Sequence, residues 1–135
     1  YWMNRQIIDD YPLDIVSPVD WTDESKDIND RVRSYLDVNC GHCHSPTGNA
    51  NSTGLYLHLN ETRDINLGVF KKPVATGRGS GGLKYSIVPG EPEKSILLHR
   101  MISMDPGVMM PESGRALTHT EAVDMVRDWI LLMEN

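Results

Sequence analysis

An all-α domain of three to five helices, with long loops and an extended N-terminal arm, is predicted by three features of the sequence. Ile28, Val32, Tyr35, Leu36 and Asn39 recur on one helical face. Ala122, Val126, Trp129, Ile130 and Met133 do the same near the other end of the chain. Between them lie turn-rich stretches in which no convincing strands alternate with the helices. At 135 residues the chain is long enough for one core-bearing domain, with residues 1–24 as an arm or interdomain linker and 25–135 as the domain.

Within the arm, Pro12 and Pro18 and the lack of a sustained period predict extended chain. Its apolar members (Tyr1, Trp2, Ile7, Ile8, Tyr11, Leu13, Ile15, Val16, Trp21) are numerous for a free linker and are expected to pack on the domain or on a neighbour. The first helix is expected to begin near Thr22 or Ser25 and to run into Cys40. Ser45–Gly54 is a dense run of turn residues. Leu55, Leu57 and Leu59 alternate with polar neighbours as a short extended piece, and Asn60 is a candidate cap for a helical turn reaching about Leu67. Gly77–Gly82 lacks the G-K-[ST] ending of a phosphate loop and reads as an ordinary loop. Pro92 suits the first position of a helix that buries Ile96, Leu97 and Met101 and stops before Asp105-Pro106-Gly107. Thr118-His119-Thr120-Glu121 reads as a capping box opening the last helix, on which Trp129 is a packing residue.

The first helical face delivers Cys40-Gly41-His42-Cys43-His44, a C-x-x-C-H string of the kind that attaches haem covalently. Two thiols at this spacing can each add to one vinyl group of a haem edge, and the adjoining His44 supplies the proximal imidazole. Gly41 is expected to allow the tight turn, and His42 and His58 to lie on surface or loop. Two other chemistries use the same residues. A zinc site needs a second ligand pair, yet His58, His99 and His119 form no H-x₃₋₅-H unit. A thiol–disulfide pair wants a βαβ context that is not evident.

A second axial ligand is offered downstream by Met110 before Pro111, with Met109 as the alternate. Thioether sulfur is soft and neutral, favours reduced iron and raises the potential opposite histidine. Methionines in such a place also serve as core filler. Arg78, Arg100 and Arg115 are candidates to pair with a haem propionate, since guanidinium suits bidentate carboxylate recognition.

The formal charge of −6 argues against nucleic acid as partner and points to a redox partner with a cationic docking face. No apolar run is long enough to span a bilayer. Attachment of haem by this motif takes place outside the cytoplasm, so a periplasmic or otherwise extracytoplasmic location is expected. The start at Tyr1, with no leader, reads as a trimmed fragment of a longer protein.

These residues together resemble a class I cytochrome c domain over roughly residues 25–135. The strings Asp37-Val38-Asn39-Cys40-Gly41-His42-Cys43-His44, Pro89-Gly90-Glu91-Pro92-Glu93-Lys94-Ser95-Ile96-Leu97 and Pro106-Gly107-Val108-Met109-Met110-Pro111 are similar to haem domains of larger bacterial periplasmic c-type cytochromes. The resemblance implies one covalent haem c, thioether links at Cys40 and Cys43, His44 and Met110 as axial ligands, and packing of Leu36 against Val126 and Trp129 where the first and last helices cross. It implies electron transfer to a redox partner protein or fused redox domain, not catalysis. The rival is a haem enzyme or a gas- or peroxide-binding domain whose distal ligand is labile. One departure stands out. The proline whose carbonyl orients the proximal imidazole is missing, and Tyr56 occupies its place.

Overall fold

A computed structural model describes residues 1–10 and 17–134 of the chain. Among these, four helices are formed: α1 (Ile28–Leu36), α2 (Asp64–Leu67), α3 (Ile96–Ile102) and α4 (Thr120–Leu132). No strand is present among the described residues, only isolated bridges at Val69–Ile87 and Tyr85–Ser95. The all-α expectation therefore holds.

Helix α1 begins later than its composition predicts, and hydrogen bonding explains why. The Asp20 carboxylate takes both the N–H and the hydroxyl of Thr22, and Asp23 does the same with Ser25. Such local bonds compete with helix. Only at Asp27, whose Oδ1 accepts from the Asn29 N–H at 2.8 Å, does a carboxylate serve as an N-cap. At its other end α1 widens into a π-helical turn, Asp37–Gly41, before the chain turns away.

Val32, Tyr35 and Leu36 of α1 are buried with Ala122, Val123, Met125, Val126, Trp129 and Ile130 of α4, and Leu98 and Met101 of α3 together with Leu57 and Ile87 from the loops complete the core. Burying side chains such as Leu36, Val126 and Ile130 contributes about 2 kcal/mol each. Trp129 joins α4 to α1 directly, its indole N–H donating to Asn29 Oδ1 at 3.1 Å.

Several local expectations are corrected. Thr118 does not cap α4: its hydroxyl donates to the Ile102 carbonyl, and the cap position falls to His119, without a side-chain bond. Asn60 does not cap α2, because the Glu61 carboxylate takes the Thr62 and Arg63 N–H groups and delays the helix to Asp64. Pro92 opens a 3₁₀ turn, Pro92–Lys94, and α3 starts after it, burying Leu98 rather than Leu97. Tyr1, Trp2, Ile7 and Ile8 are exposed, in a turn closed by Ile7 N–H on the Trp2 carbonyl, so that stretch is not packed on the domain. Trp21 is: it meets the Tyr35 and His119 rings edge-on at 5.7 and 5.0 Å. The contacts expected of Tyr11, Leu13, Ile15 and Val16 lie outside the described residues.

Candidate functional site

The C-x-x-C-H residues sit at the C-terminal end of α1, where the π-helical turn hands the chain on. Cys43 and His44 N–H groups both donate to the Cys40 carbonyl, at 3.1 and 2.8 Å. Cys40 packs against the core and Cys43 is half-buried; both thiols are free. Burial, then the neighbouring Cys43, pushes the Cys40 thiol up to about 12. A redox-active cysteine is instead activated at the positive N-terminus of a helix, with its pKa lowered. Among the described residues no group of three or more His, Cys, Asp or Glu gathers to hold a metal ion.

Two glycines fit the motif to its surroundings. A Cβ at Gly41 would lie 3.1 Å from Asp37 Oδ1 and 3.2 Å from the His58 Cα, so this glycine serves close approach of the following chain. A Cβ at Gly48 would lie 2.6 Å from the Cys43 carbonyl carbon and 2.8 Å from the His42 oxygen. The Ser45–Ala50 turn thus folds back onto the motif's own main chain, with the Ala50 N–H on the Cys43 carbonyl at 3.0 Å.

His44 is half-buried, and its Nδ1 is buried without a hydrogen-bond partner. Burial lowers the pKa of the ring. The Leu55 main chain opposes this, and the Arg100 charge adds to the lowering. Leu55 lies one position before Tyr56 in the chain. The chain there is fixed by Leu57 N–H on the His44 carbonyl at 2.8 Å and Tyr56 N–H on the Asn66 carbonyl at 2.7 Å.

The three arginines differ. Arg78 is exposed and holds Asp105 through two hydrogen bonds of 2.8 and 3.1 Å. Arg115 donates to the Met101 and Ser103 carbonyls and so closes the end of α3. Arg100 is half-buried; its Nε donates to the Val108 carbonyl at 2.8 Å, and its terminal amino groups make no hydrogen bond among the described residues. Burial lowers its pKa, and Glu112 partly restores it. The Arg100 carbonyl also accepts from the Met110 N–H at 2.9 Å. Arg100 and Glu112 both act electrostatically on His44, and Met109 and Met110, between them in the chain, are both half-buried.

Of the other histidines, His119 is engaged by Tyr35, whose hydroxyl is 3.1 Å from Nδ1. The Gly81 backbone lies on the His99 ring. His58 is not simply on the surface: its Nδ1 is buried and without a partner.

Sequence reasoning missed the polar assembly that holds the loop after the motif. Arg33, buried on α1, donates through one amino group to the carbonyls of His58, Leu59 and Glu61 at 2.8–3.0 Å. Asp37 Oδ1 accepts from the Leu59 N–H at 2.8 Å. Glu61 accepts five hydrogen bonds, from the main chain of Thr62 and Arg63 and the side chains of Arg63 and Asn66. The available signal was an arginine next to Val32, beside the apolar stripe rather than opposite it. No protein-family model matches the sequence, and no curated protein or solved structure matches it significantly.

Proposed function

We propose that this chain holds one covalent haem c and works as an electron-transfer domain of the class I cytochrome c type, one module of a larger extracytoplasmic, periplasmic redox protein. Its partner is then a redox protein or fused redox domain. The observation that supports the reading is the neighbourhood of His44: the Arg100 whose charge acts on the imidazole also accepts the Met110 N–H at its carbonyl, and Glu112 acts on both side chains. The two axial-ligand candidates therefore share one set of neighbours.

The residues fit the group. Cys40 and Cys43 would hold it by thioether links, at the end of a helix where burial leaves the Cys40 thiol unsuited to disulfide exchange. His44 is kept neutral by burial, as a metal-binding imidazole must be, and its buried Nδ1 needs an acceptor such as the Leu55 carbonyl. Met110, with Met109 as alternate, offers the opposing sulfur. Arg100 is the favoured propionate partner, since Arg78 and Arg115 already have anionic or carbonyl partners. When bound, the haem supplies a one-electron Fe(III)/Fe(II) couple, and the chain's part is to choose ligands and exclude water.

The test is a pyridine haemochrome assay on denatured protein produced with a haem-attachment system. Haem that stays with the chain is expected, and is lost in Cys40→Ala/Cys43→Ala. The ferric protein should show the weak far-red band of sulfur ligation, absent in Met110→Ala. A high-spin ferric spectrum that shifts with cyanide in the unaltered protein would point to an open, ligand-binding site instead. A chain that carries no haem under these conditions rejects the proposal.

A further inference from the structure

Charge is distributed unevenly along this acidic chain. All 19 acidic residues lie outside Ile65–Gly90, a segment that carries Lys71, Lys72, Arg78 and Lys84. Arg78 is neutralised by Asp105. The three lysines form no ion pair among the described residues.

The fold brings Lys71 and Lys84 close together, and the adjoining Lys72 is exposed. Phe70 N–H donates to the Ile87 carbonyl at 2.9 Å and Ser86 N–H to the Lys71 carbonyl at 2.8 Å, which sets the two ends of the segment side by side. The Phe70 ring then meets Tyr85 edge-on at 5.7 Å, and Lys84 Nζ lies 4.9 Å over the Tyr85 ring. Lys71 extends along Gly54, in a loop that is itself free of acidic residues from Val38 to Asn60.

Phe70 adds a second, independent sign. It is the only phenylalanine of the chain, 46% exposed, and its φ of 49° lies in the left-handed region. A bulky residue is strained there, and such strain concentrates at functional surfaces. Core packing does not call for a half-exposed ring at that position.

We propose that Phe70, Lys71, Lys72, Lys84 and Tyr85 form a docking surface for the acidic face of a partner protein. The net charge misleads here, because the negative charge is carried elsewhere on the chain. An extended polyanion such as an anionic membrane or a nucleic acid would be repelled by those 19 carboxylates. A local acidic patch on a protein meets only the cationic face. Aromatic rings beside cations are the side chains that interfaces favour. The inference does not depend on haem, since none of the C-x-x-C-H residues takes part.

A short glutamate-bearing peptide, small enough to meet only this face, is the probe. Titrated into isotopically labelled full chain, it should shift the amides of Phe70–Lys72 and Lys84–Ser86, with affinity falling as salt is added. Changing Lys71, Lys72 and Lys84 together to Gln should weaken binding about tenfold. Phe70→Gly, which accepts the left-handed backbone, should leave the melting temperature no lower and still weaken binding. The proposal is overturned if those amides do not move, or if the triple Gln variant binds equally well. It is also overturned if Phe70→Gly lowers the melting temperature without weakening binding, if phosphatidylglycerol vesicles bind more tightly than the peptide, or if the chain self-associates through these lysines.

Discussion

The segment that follows the C-x-x-C-H motif and the segment that carries Met109 and Met110 are restrained to different degrees. From Ser45 to Leu67 the chain is tied down along its length. Gly48 is pressed on the Cys43 main chain, Leu57 bonds His44, Arg33 gathers three carbonyls, and Glu61 anchors the entry to α2. From Met104 to Leu117 the chain is held at fewer places: the Val108 and Met109 N–H groups on the Asp105 carbonyl, Met110 and Val108 on Arg100, and Arg115 on the end of α3. Asp105–Gly107 and Glu112–Gly114 are exposed, as is Leu117. Segments with few buried contacts open at lower free energy than the core. On the proposed function, the residues that would hold the histidine side are fixed more firmly by the fold than those that would hold the methionine side.

The largest effect that would sharpen this contrast is expected at Gly48. A methyl group there meets backbone carbonyls, which cannot swing aside, so Gly48→Ala should cost about 3 kcal/mol or more in denaturant unfolding. A near-neutral result would mean that the turn is as loose as the methionine segment. Next come two arginines in parallel roles. Arg33→Ala strands three carbonyls in a buried place and should cost about 2–4 kcal/mol of global stability. Arg115→Ala should cost about 1 kcal/mol, and its main signature should be faster amide exchange confined to residues around 104–117. Equal global losses from the two would break the comparison.

The smallest effect concerns pH. The Glu61 carboxylate is held well below the usual carboxylate range, first by the Arg63 side chain and then by Asn66. A depressed folded pKa means that its stabilisation is complete above the ordinary glutamate value of 4.5 and is lost as the pH falls below it. Unfolding curves between about pH 5 and 3 should therefore be less steeply pH-dependent for Glu61→Gln than for the unaltered chain. An unchanged acid limb would show that this network adds nothing beyond the rest of the loop.

The helices were legible because periodicity reports burial: Val32 and Leu36, and Val126, Trp129 and Ile130, fall where their spacing predicts. Helix starts were not, because Thr22, Ser25 and Thr118 have cap chemistry but different local partners. The motif and the methionines could be read from spacing alone, and their shared neighbour Arg100 could be named but not ranked above Arg78 and Arg115. Ranking requires knowing which guanidinium is already occupied. The Arg33 and Glu61 assembly was invisible because much of it is main chain, carbonyls that accept from Arg33 and N–H groups that donate to Glu61, to which no residue identity points.

The π-helical turn at Asp37–Gly41 has a consequence for orientation. In geometric terms it is an α-helix with one residue too many, and Val38 is its exposed member, 64% accessible. Were the same residues wound at regular α-helical pitch, everything beyond would sit about 100° further round the axis. Cys40 would leave the core, and Cys43 and His44 would turn with it. The compass bearing of both thiols and the imidazole is thus set by the surplus of a single residue whose own side chain touches solvent.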